Sequence, residues 1–391
     1  MSSTSYSDEQ VKLIFKLRDD NDLSWKEVAD EYNQLFDRKT SNALRKVYKR
    51  FSGVDFSDDS FVSNLKAKVD TQKKNLKLAK ENKIILDNQL NFDDILKGVK
   101  SAVKEVKHTK IKLPKKVKKS KSKTNMTIEA LVSDVHYGLE TKSYNTDIAR
   151  KRIKKLSDAV LDERKRYSKN YNIERIHLAI IGDIMQSESL HRNSGRSCDK
   201  TNAEQISISI ISLFNDLILP IANTGLPIDI TGLCGNHDRE AKERFTVNPG
   251  ITYFTYTIYT ALEELCKVKG LKNVTFSIPI EPYVIVNFYG HNFLYEHGDL
   301  VPKGTSVTLE QQLLKRSGQV GKILKGIRIG HYHNDFVGGM GRHIINGSTV
   351  SDDHYGNMLG YKSRPCQIIN FYVKTKRDTS FYHSFPVNLD D

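Results

Sequence analysis

From Met126 onward the chain is a series of short apolar runs, most of which stop at a polar cluster containing glycine. The runs are IEALVSD (128–134), IHLAIIGD (176–183), IDITGLCGNHD (228–238), VIVNFYG (284–290), NFLYEHGD (292–299), IRIGHYH (327–333) and HIINGS (343–348). Short β-prone runs alternating with helical segments are the pattern of an α/β domain. In such folds ligand and catalytic groups lie beyond the carboxyl ends of strands, so the polar punctuation is where chemistry is expected.

Five of these ends stand out: Asp134-Val135-His136, Gly182-Asp183, Gly235-Asn236-His237-Asp238, Glu296-His297-Gly298-Asp299 and Gly330-His331-Tyr332-His333. Each offers oxygen or nitrogen donors suited to a hard or borderline metal. On an extended backbone, alternation points Asp134 with His136, and His331 with His333, to one side, with Tyr332 turned away. The neighbouring glycines fit the same picture, because a bare backbone can approach a compact centre closely. A single histidine at a strand end is an ordinary polar residue. Five such ends in one domain form a constellation.

In order, the clusters read D-x-H, GD, GNHD, H and GHxH, and over residues 126 to about 350 they resemble the calcineurin-like metallophosphoesterase superfamily. The resemblance implies an α/β fold, a four-layer β-sandwich flanked by helices. It implies that Asp134, His136 and His333 hold one metal, that Asn236, His297 and His331 hold the second, and that Asp183 bridges them. His237 would contact the phosphate or protonate the leaving oxygen, with Asp238 placed to orient its imidazole. The cofactors implied are two divalent ions, Mn²⁺ foremost with Fe, Zn, Mg or Ni as alternatives, which activate a hydroxide for attack on phosphorus.

The substrate is narrowed by departures from family patterns. Ser/Thr phosphatases carry GDxVDRG and RGNHE, whereas this chain has GDIMQSES and CGNHDRE. Secreted nucleotidases and purple acid phosphatases need a signal sequence, and the start MSSTSYSDEQ has none. Mre11/SbcD-type nucleases share the motifs in this form, although the histidine they often place three residues after the second-motif Asp is Gln186 here, with Glu188 and His191 nearby. The stretch INGSTVSDDHYGNMLGYKSRPCQ is similar to phage metallophosphoesterases, and His354 within it can line the cleft. Arg192, Arg196, Lys200, Arg239 and Arg244 flank motifs two and three, as DNA-backbone contacts or as ordinary surface charge. The expected activity is hydrolysis of DNA phosphodiesters by an endonuclease. The alternatives are a phosphomonoesterase or cyclic-nucleotide phosphodiesterase, a Ser/Thr phosphatase, and a DNA-binding regulator with an inactive body.

Charge separates the first third from the rest. Residues 1–125 hold 29 Lys+Arg against 18 Asp+Glu, and the remainder holds 32 against 29, so +11 of the +14 net charge lies in the first third. A basic appendage on a nearly neutral body suits a polyanionic partner, because each phosphate contact releases counterions. A Lys-rich composition with a solvated linker accounts for the same excess.

Residues 1–53 read as a small all-α domain. Ser7 to Gln10 and Ser24 to Glu27 have capping-box spacing, and a third helix begins near Thr40 or Ser41. Its basic residues Arg45, Lys46, Lys49 and Arg50 are candidate nucleic-acid contacts, and "LSWKEVADEYNQLF…TSNALRKVYKRF" resembles Myb/SANT-like or phage-type helix-turn-helix modules. DNA binding and a protein-interaction role both fit three small helices. Residues 54–106 form a helical segment in which 62–90 carry apolar residues at heptad-like steps, as a homodimeric coiled coil or as a helix packed on its own domain. Residues 107–125 form a Lys-rich tether, and 126–391 the catalytic domain.

The four cysteines are widely spaced with no C-x-x-C pair, so neither a zinc ribbon nor a disulfide framework is indicated. No apolar run approaches the roughly 18 residues of a membrane span, so no membrane partner is expected. The reading is of an intracellular, cytoplasmic protein, in the host cytoplasm if phage-encoded.

Overall fold

The computed structural model describes residues 6–52, 97–106, 119–188, 197–239, 253–351, 364–374 and 379–390. The chain divides into two compact units, Met1–Asn88 and Gln89–Asp391. The coiled-coil reading of 62–90 lies outside the described residues, as do Arg192, Arg196, Arg244, His191 and His354.

In the first unit, α1 (Asp8–Phe15) and α2 (Trp25–Leu35) begin at the two expected capping boxes, in which the Ser7 and Ser24 hydroxyls accept from the Gln10 and Glu27 backbone N–H groups and the Ser7 and Ser24 N–H groups donate to the Gln10 and Glu27 side chains. The third helix, α3 (Ser41–Phe51), is capped by Thr40. The three helices share a small core of Val11, Ile14, Leu17, Val28, Tyr32, Leu44 and Val47.

The second unit is layered. A helix over 97–106, α4, buries Ala102 and Val106 in the same core as the strands that follow it. Four parallel strands come next, β1 (Thr124–Val132), β2 (Tyr171–Ile181), β3 (Ile228–Leu233) and β4 (Val274–Ser277). Between them run α5 (Thr146–Tyr167), α6 (Asn202–Ser212, continuing through wider turns to Ala222) and α7 (Phe254–Val268). The second sheet comprises β5 (Tyr283–Phe288), β6 (His291–Glu296), β7 (Leu324–Ile329), β8 (Phe336–Gly338) and β9 (His343–Ile345), with α8 (Ser306–Val320) inserted before β7. The antiparallel β10 (Cys366–Lys374) and β11 (Thr379–Asn388) return to the first sheet. The strand orders are β11-β10-β1-β2-β3-β4 and β5-β6-β7-β9-β8.

Side-chain alternation sorts the core into three layers. Ile128, Ala130 and Val132 of β1 face the helices, while Leu131, Ala179, Ile181, Leu233 and Tyr372 pack with Phe293 of the second sheet. Leu294, Ile327 and Ile329 point outward from the second sheet against Leu309 and Leu313 of α8. Helices, sheet, sheet and helix make the four-layer α/β sandwich expected. All seven apolar runs contain a strand, and the structure adds β4, β8, β10 and β11.

Asn202–Ala222 corrects one expectation, since it is long and apolar enough to cross a membrane. It serves as a core helix, with 78% of its most apolar window buried.

Candidate metal centre

The seven expected ligands come together where β1, β2, β3, β6 and β7 end. Donor atoms of Asp134, His136 and His333 lie within 4.8 Å of one another, and so do those of Asp183, His297 and His331. Asn236 Oδ1 is 3.1 Å from His297 Nε2, which adds the amide to the second group. Asp183 stands between the groups: its Oδ2 is 3.1 Å from His297 Nε2 and 3.8 Å from His136 Nε2. The other oxygen, Oδ1, accepts the His237 backbone N–H at 2.7 Å. One carboxylate oxygen is thus fixed by the protein and the other faces both sets of imidazoles.

The local backbone differs from the extended geometry the alternation argument assumed. Residues 133–136 and 331–334 are loops rather than strand. Asp134, His136, His331 and His333 have φ of 52°, 50°, 69° and 57°, and Asp183 has 52°. Tight left-handed turns bring each pair to the centre, because a pleat would carry the second residue of the pair about 6–7 Å farther along the strand. Tyr332 is turned away, its hydroxyl donating to the Val301 carbonyl.

Glycine gives the turns their close approach. At Gly235 a Cβ would collide with the Asp183 carboxylate and backbone nitrogen, and at Gly330 it would sit 2.5 Å from Asp134 Oδ2.

Asp238 needs correction. Instead of orienting His237, its carboxylate accepts backbone N–H groups from Asp183, Ile184, Met185 and Gly235 at 2.7–3.1 Å, tying motif two to motif three. A carboxylate saturated by four amides is a clamp on the backbone, and His237 Nδ1 faces the Gln186 carbonyl at 3.1 Å. One His237 nitrogen lies within the 4.8 Å grouping of His136 and Asp183. Arg239 is also not surface charge: it is 8% exposed and its Nε donates to the Asn236 carbonyl at 2.7 Å.

Electrostatically the cluster is built for cations. Burial and the neighbouring His237 push His136 down to about 3, so its imidazole is neutral. Burial works against the charged form of Asp183, but His297 and His237 outweigh it and hold the carboxyl well below the usual range. For Asp134, burial is likewise overcome by His333. His297 is held well above the usual histidine range, burial being outweighed by Asp183. Burial, followed by the charge of Asp183, raises Asp238 to about 7.

His136 Nε2 and His333 Nε2 face each other at 3.2 Å, and the buried His136 Nδ1 has no hydrogen-bond partner among the described residues. Two ionised carboxylates, converging imidazole nitrogens and an amide oxygen in a buried volume fit divalent metal ions. His297 Nδ1 donates to the Ile181 carbonyl at 2.9 Å, which holds the ring with Nε2 toward the cluster, the usual support of a metal-binding histidine.

On the basic helix, Arg45, Lys46 and Lys49 are exposed while Leu44 and Val47 are buried; the Arg50 side chain lies outside those described. Lys200 lies 3.9 Å from Asp199, as one half of an ion pair.

Two sheets flanked by helices make a four-layer α/β sandwich, the fold of metallophosphoesterases, and a cluster of carboxylate, imidazole and amide donors lies at its strand ends. No family model and no curated protein matches the chain. Among solved structures it is similar to Vacuolar Protein Sorting 29 from Cryptosporidium parvum, at 12% identity over 67% of this chain and 98% of that one, TM-score 0.32. It is similar to an archaeal phosphodiesterase, at 13% identity over 66% and 99%, TM-score 0.30. A predicted phosphoesterase from Streptococcus pneumoniae TIGR4 gives 14% over 67% and 98%, TM-score 0.26.

Proposed function

We propose that this chain is a two-metal phosphodiesterase acting on DNA, as an endonuclease inside the cell. The observation that carries the phosphoesterase reading is the convergence of seven donor side chains from five strand ends on two positions that share Asp183. Asp134, His136 and His333 would hold one ion, and Asn236, His297 and His331 the other. Divalent ions at such a pair supply an activated water and neutralise charge on the phosphoryl oxygens. The protein's own groups do the rest. Asp183 Oδ1 is held by a backbone N–H, and Oδ2, which faces both sets of imidazoles, would be the oxygen offered to the ions. His237, its Nδ1 facing the Gln186 carbonyl, would contact a phosphate oxygen or protonate the leaving oxygen.

DNA is favoured as substrate by the exposed Arg45, Lys46 and Lys49 and by the basic first third of the chain. A small phosphomonoester or cyclic nucleotide offers far fewer phosphates to that spread of charge than a duplex does. The test is the full chain with Mn²⁺ on plasmid DNA, linear duplex, p-nitrophenyl phosphate and bis-p-nitrophenyl phosphate, beside Asp183→Ala. Nicking of plasmid and cleavage of the diester, both abolished in Asp183→Ala, are expected. Brisk monoester hydrolysis without DNA cleavage would overturn the nuclease reading, and activity surviving in Asp183→Ala would overturn the metal assignment.

A further inference from the structure

Among the described residues, the layer between the two sheets holds a buried polar knot centred on Glu129. Its Oε1 accepts from the Tyr295 hydroxyl and from His177 Nδ1, the latter at 3.1 Å. Its Oε2 accepts from Asn370 Nδ2 at 2.8 Å and from the Tyr372 hydroxyl at 2.9 Å. Tyr372 in turn accepts from Arg328, whose Nε lies 3.8 Å from Glu129 Oε2. On the far side of His177, Nε2 meets Thr231 Oγ1 at 3.0 Å. Glu129 and Arg328 are fully buried, and every hydrogen-bonding partner named is at most 3% exposed.

The placement of these groups is informative. Glu129 lies on β1, His177 on β2, Thr231 on β3, Tyr295 on β6 and Arg328 on β7, which are the five strands that end in candidate ligands. Each of these five precedes its strand's ligand, Asp134, Asp183, Asn236, His297 or His331, by two to six positions, while Asn370 and Tyr372 tie the knot to β10, which carries no candidate ligand. Apolar packing between sheets is non-directional and tolerates small slides, whereas hydrogen bonds to one carboxylate fix how far each strand extends relative to the others. An ion pair buried in an apolar layer is also a poor device for stability alone, because well-packed hydrophobic residues serve as well or better.

We infer that Glu129 is a positioning residue: through hydrogen bonds and one ion pair it sets the mutual register of the five ligand strands, and with it the spacing of the two metal positions. The inference rests on the two-metal reading of the site and concerns a residue remote from the reacting atoms.

The test uses the full chain as wild type, Glu129→Gln, and a double variant Glu129→Leu/Arg328→Met that replaces the ion pair by apolar groups. Mn²⁺ affinity is measured by titration calorimetry well below the unfolding temperature. The exchange-coupled electron paramagnetic resonance signal of a Mn²⁺ pair reports metal spacing, and thermal unfolding of the metal-free proteins reports stability. Glu129→Gln is expected to bind Mn²⁺ about tenfold more weakly, at the low end for support groups around a metal site, with an altered coupled signal. The double variant is expected to show the same loss while unfolding no earlier than Glu129→Gln, which separates register from stability. If Gln unfolds the chain, the double variant decides. Wild-type affinity and an unchanged signal in a folded variant would reduce the knot to a structural feature and overturn the inference. Absence of Mn²⁺ binding by the wild type would instead overturn the metal reading itself.

Discussion

Ten non-glycine residues among those described have positive φ, and five of them are Asp134, His136, Asp183, His331 and His333. A left-handed side-chain-bearing residue costs about 1–2 kcal/mol, so these turns persist because their surroundings hold them. The Asp134 and His136 N–H groups donate to the Gly182 and Asp183 carbonyls at 3.1 and 3.0 Å, Asp183 N–H donates to Asp238, and His331 N–H to the Asp134 carboxylate. Residue types and their order were legible in the chain, since each cluster ends an apolar run. The turn geometry was not, because alternation assumes an extended backbone; the available hint was that Asp and His are enriched among left-handed non-glycine residues. The clamp role of Asp238 was hidden for a different reason, since its four amide donors come from two loops about fifty residues apart. Gly235→Ala tests this packing. Its Cβ would displace Asp183, so Mn²⁺ binding and diester hydrolysis should be lost, with stability lowered by about 1–3 kcal/mol. Gly270→Ala, at φ 72° with nothing within 4 Å, should lower stability and leave Mn²⁺ binding alone. Calorimetric Mn²⁺ titration of both variants checks the contrast, and normal binding by Gly235→Ala would show that the loop yields without moving the ligand.

At the scale of elements, local signals carried far. Capping boxes located α1 and α2 because they need only residues three apart, and apolar runs located seven strands. The edge strands β4 and β8 and the returning pair β10–β11 were missed, since their place depends on long-range pairing such as Ile128 of β1 opposite Phe371 of β10. The attachment of α8 to the second sheet was equally invisible. There Glu310 accepts from Arg342 Nε and Nη2 at 2.8 and 2.7 Å and from His343 Nε2 at 2.7 Å. Hydrogen bonds from Arg342 are the main cause that lowers Glu310 to about 2. A carboxyl depressed on folding contributes stability that is present above its unfolded pKa, about 4.3, and lost as pH falls toward 2. Urea unfolding of wild type and Glu310→Gln should therefore differ at pH 6 and converge as pH approaches 2. A gap that stays constant across that range would mean the carboxylate charge is not what joins α8 to the sheet.

For the whole molecule, the instructive quantity is where charge sits. The excess of +11 in residues 1–125, against +3 in all that follows, was legible by counting and needs no structure. What counting leaves out is whether those charges stand free on a surface, and α3 answers this for three of them. Arg45, Lys46 and Lys49 are exposed on one side while Leu44 and Val47 fill the core on the other, so the basic face can be removed without touching the packing. Alanine is a good helix former, and the triple substitution Arg45→Ala/Lys46→Ala/Lys49→Ala should leave α3 folded. If α3 brings the enzyme to DNA, each lost phosphate contact reduces the slope of log K against log salt by about 0.9, a drop of roughly 2–3 for the three together. Hydrolysis of bis-p-nitrophenyl phosphate should stay at the wild-type rate, because none of the three is among the metal-centre residues. Fluorescence anisotropy with a labelled duplex at 50–200 mM salt gives the slope, and the small diester gives the chemistry. An unchanged salt slope would remove these three α3 residues from DNA binding. A lowered slope with unchanged small-diester turnover would divide the labour as proposed, with attraction supplied by the first third of the chain and chemistry by the strand ends.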